Sequence, residues 1–234
     1  MKVFSFSLFG DNPIYTIGAI KNVNLIKQNF TDWNTFIYTN KTKEDDIIKN
    51  LIDLGCIIKY ETDHRWYNST WRFKAISEDS VDIMICRDSD SRVFIRDVFA
   101  IEEWLESNYN YHIIRDHPVG HHWKMNAGMW GAKKTDFISN INLLLEDYKT
   151  KNSNLLNHKN FDQFFLRDVI YPKIVNDSLI HDEYYGYEKN NYKIKRDRKI
   201  DNFAFIGESM DENDKSRFLY REGEQRESII KCYK

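Results

Sequence analysis

The chain reads as an α/β protein with a mostly parallel central sheet of the Rossmann type, flanked by helices, and three observations carry that reading. Short apolar, β-branched runs alternate with helical spacings through residue 107, the rhythm of β-α-β units. The most apolar run, residues 81–86, stops abruptly at Arg87-Asp88-Ser89-Asp90-Ser91-Arg92, as a buried strand does when it brings charge to the carboxyl edge of a sheet, where ligands sit. With 234 residues and no internal repeat or low-complexity linker, the chain can bury one sizeable core.

Residues 3–8 are the first buried strand, and Asn12 with Pro13 behind it starts a helix that runs to about residue 27. A second strand over 35–39 leads to a helix over 43–54, capped by Thr42 and closed at Gly55, and 56–60 supply a third strand. After a polar loop, 69–76 form a short helix that feeds the 81–86 strand. Over 93–107, Val93, Ile95, Val98, Phe99, Ile101, Trp104 and Leu105 fall at spacings dominated by threes and fours, an amphipathic helix. The second half opens with a strand over 111–116 and a loop over 117–123, followed by a glycine-punctuated turn or strand over 125–131. Helices near 135–148 and 162–169 precede a short strand over 179–182. From residue 188 the chain is charged and weakly periodic, with one apolar knot at 203–206, so 188–234 are expected to be a loosely packed extension docked on a single 1–187 domain.

Composition excludes several function classes. The 34 basic and 36 acidic residues leave a net charge of -2, against a general nucleic-acid binder. Cys56, Cys86 and Cys232 are odd in number and far apart, which argues against a disulfide framework or a thiolate zinc site and for a reducing compartment. Gly10-Asp11-Asn12-Pro13 interrupts the N-terminal apolar run before a secretory leader is complete, and no later run is long enough to span a bilayer. A cytoplasmic protein is expected, in the host cytoplasm if the chain is viral.

Asp88 and Asp90, one residue apart, repel each other unless a divalent cation or a dense set of donors stands between them. A helix cap by this pair is the competing explanation, but its place at the end of the most apolar strand favours metal binding. Arg87, Arg92 and Arg115 offer fixed positive charge for a phosphate, with surface ion pairing as the alternative. Asn126-Ala127-Gly128 fits a plain turn as well as a ligand contact. Asp162 and Gln163 start a helix, where capping by Asp162 competes with a substrate contact. His181 ends a short apolar strand and could complete an oxygen and nitrogen coordination sphere. Loop residues His117, His121 and His122 lack the regular ligand set of a zinc site, and solvent exposure is their expected fate.

In this order, Asp88-Ser89-Asp90, Asn126-Ala127-Gly128, Asp162-Gln163 and a later histidine, the chain resembles metal-dependent glycosyltransferases of the GT-A fold. It looks most like the retaining galactosyltransferase and glycogenin type. Arg115-Asp116-His117-Pro118 also resembles a group of uncharacterised viral and bacterial relatives. The resemblance implies a nucleotide-sugar donor, in the first instance a UDP-sugar, and a Mn²⁺ (or Mg²⁺) ion on its diphosphate held by Asp88 and Asp90. It implies donor contacts from Phe6, Ser7, Leu8, Arg72, Arg87, Ser89, Arg115, Asn126 and Ala127. The family histidine position holds Ala204, so the third metal ligand falls to His181. For the sugar centre, Asp116 and Asp162 are the candidate carboxylates and Gln163 the candidate amide. A carboxylate base on the acceptor hydroxyl would give inversion, and an amide alone would favour retention. The acceptor is a glycan or a protein, and the oligomeric state is open, a homodimer included. A nucleotidyltransferase acting on a sugar phosphate and a silent nucleotide-sugar or carbohydrate-binding module are the alternatives; a glycine-rich phosphate loop would mark the former, and Phe9-Gly10-Asp11-Asn12 is a poor one.

Overall fold

The structure is a computed structural model and describes residues 1–62, 65–189, 191–202 and 204–218. Its sheet contains β1 (Lys2–Leu8), β2 (Trp33–Thr39), β3 (Ile57–Tyr60), β4 (Ile83–Cys86), β5 (Tyr111–Arg115), β6 (Trp130–Lys133), β7 (Ser178–Asp182) and β8 (Asn191–Tyr192). They lie side by side as β3-β2-β1-β4-β6-β5-β7-β8. Every neighbouring pair is parallel except the two made by β6, which runs against β4 and β5. The glycine-punctuated segment thus ends in a strand.

β1 shows why the sheet is covered on both faces. Its alternate residues Phe4, Phe6 and Leu8 pack with Ala19, Val23 and Ile26 of α1 (Pro13–Asn29). The same cluster takes in Ile48 and Leu51 of α2 (Asp46–Asp53) and Trp104 of α3 (Ile95–Glu106). Val3, on the opposite face, joins Trp71, Phe73, Trp130, Phe161 and Phe165. Full burial of each large apolar side chain is worth about 1.5–3 kcal/mol, so a one-residue register slip of β1 would forfeit both clusters.

Three local details depart from expectation. Asp45, not Thr42, caps α2, its carboxylate accepting from the amides of Ile47 and Ile48. Residues Trp66–Ser77 wind as a tight 3₁₀ helix. Serine hydroxyls of β1 claim two of its carbonyls: Ser5 Oγ donates to Arg72 O (2.7 Å) and Ser7 Oγ to Ser69 O (3.1 Å). β8 adds a two-residue parallel edge that periodicity did not show. Downstream, α4 (Ile141–Lys151), α5 (Phe161–Phe165) and α6 (Tyr171–Ile174) cover the second face, with a π-helical stretch, Leu166–Ile170, joining the last two. Of the expected knot, Ala204, Phe205 and Ile206 are buried, while Phe203, like residues 219–234, lies outside the described residues. Among the described residues no helix is long and apolar enough to cross a membrane.

Candidate active site

The carboxyl ends of β1 and β4 open onto a cavity of about 650 Å³. It is lined by Asp88, Ser89 and Asp90, by Ser7, Arg72 and Asp162, by Asn12 of the loop after β1 and by Tyr15 at the start of α1 (Pro13–Asn29). Ser209 and Arg217, from the far end of the described chain, close it.

Arg72 organises this cavity. Its backbone is held by β1, where Ser5 Oγ and Ser7 Oγ take the two carbonyls named above and Arg72 N donates to Ser7 Oγ (3.0 Å). Only 4% of Arg72 is exposed, and its guanidinium reaches two carboxylates: Nη1 to Asp88 Oδ1 (2.5 Å) and Nη2 to Asp162 Oδ2 (3.1 Å). The motif after β4 and the start of α5 are thereby tied through one cation. Burial raises the Asp162 carboxyl above the usual carboxylate range, with Arg72 pulling it down and Asp88 adding to the rise.

Asn126-Ala127-Gly128 reaches Asp88 through its glycine. A Cβ at Gly128 would stand 2.0 Å from Asp88 Oδ2, so only a glycine lets this backbone come so near. In the amide orientation that satisfies both ends, Gln163 donates to Met125 O (3.1 Å) and accepts from Ala127 N (3.0 Å). The three motifs that are far apart in sequence therefore meet at one place.

The loop carrying Ser89 is pinned from below by α1. Buried Asn22 donates to Ser89 O (3.2 Å) and Ser91 O (2.7 Å) and accepts from Val93 N (3.1 Å). Asn22→Ala strands three backbone groups, and the expected result is a loss of about 2 kcal/mol of stability, read from the denaturant midpoint. An unchanged midpoint would mean the loop holds itself.

The fit of a divalent ion can be judged from the donor set. Asp88 presents a side chain 44% exposed, and Asp90 one that is 17% exposed. Burial, then the neighbouring Asp88 charge, raises the Asp90 carboxyl above its ordinary range. Such a pair suits a hard cation, which would relieve that repulsion, and Mg²⁺-like ions bind through one or two carboxylates with phosphate oxygens and water completing the sphere.

Several expected site residues sit elsewhere. His181 is fully buried in β7, its Nδ1 paired with His112 Nε2 (2.8 Å) and its Nε2 with Glu103 (3.3 Å), so both ring nitrogens are engaged away from Asp88 and Asp90. Among the described residues no three His, Cys, Asp or Glu side chains converge as a ready metal cage. Asp116 is buried at 0% exposure and saturated: Arg96 grips it through both terminal nitrogens (2.6 and 3.1 Å), Arg198 donates at 2.5 Å, and Ile206 N at 2.9 Å. Arg87 is locked on Asp97 (2.6 and 3.0 Å), and Arg115 is spent on Asp182 (3.1 Å) and Glu188. Phe6 and Leu8 point into the core, and of the β1 trio Ser7 alone lines the cavity. Buried ion pairs explain all three charged cases: a charge taken out of water must find a partner, and these found one inside the protein.

Other residues of the site carry no sequence signal for it beyond the weak phosphate-loop likeness that includes Asn12. Asn12, Tyr15 and Lys159 line the cavity, and so do Ser209 and Arg217 from the charged C-terminal stretch. His121 is buried, not exposed: its Nδ1 accepts from Asp116 N (2.8 Å), and burial, then the Arg198 charge, pushes its pKa down to about 3.

No family model matches the sequence, and no curated protein matches it. Among solved structures the chain is similar to a glycosyltransferase involved in the glycosylation of the major capsid of PBCV-1, at 18% identity over 79% of this chain and 82% of that one, with a TM-score of 0.51. It is also similar to the galactosyltransferase LgtC in complex with donor and acceptor sugar analogs, at 13% identity, 77% and 73% coverage and a TM-score of 0.48. A third is glucosyl-3-phosphoglycerate synthase from Mycobacterium tuberculosis in complex with Mn²⁺ and UDP-glucose, at 13% identity, 86% and 74% coverage and a TM-score of 0.46. The first of these likenesses supports the fold, a mostly parallel, helix-flanked α/β sheet of the GT-A kind.

Proposed function

We propose that the chain is a glycosyltransferase that takes a sugar from a nucleoside-diphosphate donor, in the first instance a UDP-sugar, in the cavity at the carboxyl ends of β1 and β4. The observation that carries this reading is the convergence of Asp88, Asp90, Asp162 and Arg72 on one cavity, with Gly128 packed against Asp88. When bound between Asp88 and Asp90, a Mn²⁺ or Mg²⁺ ion supplies Lewis-acid charge to the leaving diphosphate.

The chain's own residues do the rest. Arg72 holds Asp88 and Asp162 in fixed relation, so that the diphosphate and the sugar are presented at a set distance. Asp162 and Gln163 stand at the sugar end; Asp162 is the carboxylate available there, since Asp116 is sealed in its ion pairs. Asn12 of the loop after β1 and Tyr15 at the start of α1 line the same cavity and are assigned to the nucleoside. The acceptor is a glycan or protein hydroxyl.

Incubation with Mn²⁺ and a panel of UDP- and GDP-sugars tests this. Release of nucleoside diphosphate from at least one donor is the expected result. Donor binding without release from any member would identify a silent binding module, and pyrophosphate release from a nucleoside triphosphate plus a sugar phosphate would identify a nucleotidyltransferase.

A further inference from the structure

Residues 209–217 form a small hairpin laid across the edge of the cavity. Met210 pairs with Ser216 in an antiparallel bridge, Asp211 N donates to Lys215 O (2.8 Å), and Arg217 N donates to Ser209 O (2.9 Å). Asp214 turns the tip in a left-handed conformation, φ 62°. That tip is clamped to the body by Arg92 Nε (2.7 Å) and Lys21 Nζ (2.5 Å) on its carboxylate, and Arg92 Nη2 also donates to Asp211 O (2.9 Å). Glu208, 0% exposed, ties the other side by accepting from Ser216 Oγ. The frame of the hairpin is thus fixed by side chains on α1 and the loop before α3.

What this frame presents to the cavity is a cation. Met210 N donates to Asp90 O (2.7 Å) and Ser209 Oγ to Asp90 Oδ2 (2.7 Å). Arg217 Nη1 donates to Ser209 Oγ (3.3 Å) and stands 3.6 Å from the same Asp90 Oδ2. One carboxylate oxygen of the proposed metal pair is therefore covered by a hydroxyl and a guanidinium together. Unlike Arg87, Arg96 and Arg115, which are buried and bound at short distance, Arg217 has a side chain 44% exposed, a loose contact with Asp90 and a hydrogen bond to the Tyr15 side chain. A half-exposed ion pair of this length is weak, so its side chain can turn away while the hairpin stays in place.

We propose that Arg217 is a latch on Asp90: it occupies the metal carboxylate in the free protein, competes with a divalent ion that arrives alone, and moves to the diphosphate when ion and nucleotide arrive together. This rests on the metal and donor reading above and adds an order of binding to it. A guanidinium bonds phosphate through paired N–H groups better than it bonds a single carboxylate oxygen at 3.6 Å. A divalent ion on Asp90 repels Arg217, and a diphosphate beside that ion attracts it, so the latch opens to the metal–nucleotide pair and resists the bare metal.

The test is the sign of two binding constants in Arg217→Gln. Mn²⁺ alone, titrated with the free ion followed by electron paramagnetic resonance, is expected to bind about three- to fivefold tighter than to the wild type. UDP titrated calorimetrically at saturating Mn²⁺ is expected to bind about tenfold weaker. A merely structural role for Arg217 would weaken both, and that result, or an unchanged Mn²⁺ affinity, overturns the latch. Arg217→Lys, which keeps the charge but not the paired donors, is expected to hold Mn²⁺ affinity near wild type while still losing UDP affinity. Asp90→Asn in the same titrations separates the two readings. If it abolishes Mn²⁺ binding while Arg217→Gln leaves it unchanged, the latch falls and the metal site stands. If Asp90→Asn binds Mn²⁺ like wild type, the metal site falls and the latch with it.

Discussion

Asp90→Asn is expected to lower metal-dependent release of nucleoside diphosphate about a thousandfold, while leaving the melting temperature at or slightly above the wild-type value. The loss of rate follows from removing one of two carboxylates that hold the ion, whose Lewis-acid charge is worth several kcal/mol at a leaving diphosphate, each 1.36 kcal/mol being about tenfold. The neutral or favourable effect on stability follows from the sign of the carboxyl shift. Burial first, and the charge of Asp88 second, raise the Asp90 carboxyl above its unfolded value. An acid shifted upward destabilises the folded metal-free state above that folded pKa, and the penalty is relieved as pH falls through it. Asparagine removes the charge and the penalty together. The same shift makes the metal compete with a proton, so Mn²⁺ affinity should begin to weaken at a higher pH than an ordinary aspartate pair would allow. Donor turnover and thermal melting of the purified variant check both halves. Turnover within a few-fold of wild type would remove Asp90 from the metal site.

Asp116→Ala should act in the opposite way, through the fold. Removing the carboxylate takes the main anion from Arg96, itself only 1% exposed and left with Glu183 at 3.5 Å, and from a hydrogen-bonding arm of Arg198. Breaking a buried pair from one side costs about 3–5 kcal/mol, which in a chain of this size is roughly 6–20 °C of melting temperature. The amide of Ile206 loses its acceptor in the same stroke. Asp116→Asn separates this from chemistry: a lowered melting point with turnover reduced only in proportion to folded protein is expected. An unshifted melting point with turnover abolished would return Asp116 to the catalytic set.

The half of the molecule that sequence periodicity described well is the half built from β-α-β units. β1, α1, β2, β3 and α3 are apolar strands and amphipathic helices whose pattern answers to one buried face or two. β6 was ambiguous because its four residues, Trp130 to Lys133, follow glycine-rich chain, and Gly131 sits where a Cβ would meet the Ile85 side chain at 2.6 Å. Close packing, not periodicity, decided that strand.

Among site residues, Asp88, Asp90 and Asp162 line the cavity and Gln163 holds the backbone of Ala127 beside it; motif order in the sequence marks all four, and the family resemblance marks Ser7 and Arg72. Asp116, Arg87, Arg115 and His181 look equally chemical in one dimension, yet each has a partner 10 to 73 residues away that only the fold reveals. Ser209 and Arg217 failed the other way. They lie in a charged, aperiodic stretch, and nothing local marks them as facing Asp90.

The antiparallel insertion of β6 between β4 and β5 has a consequence for the order in which the protein can assemble. β4 pairs with β1 on one side, and both are made early, but its other edge waits for Trp130 to Lys133, which arrive after α3 and β5. Until that hairpin-like return is complete, Ile83 to Cys86 present an apolar, unpaired strand edge, the kind of surface on which chains join one another. Pairing across so long a stretch of chain also slows folding. The segment that presses Gly128 against Asp88 is thus the one that seals the sheet, so the carboxylate site and a closed, aggregation-resistant edge come into being in the same step.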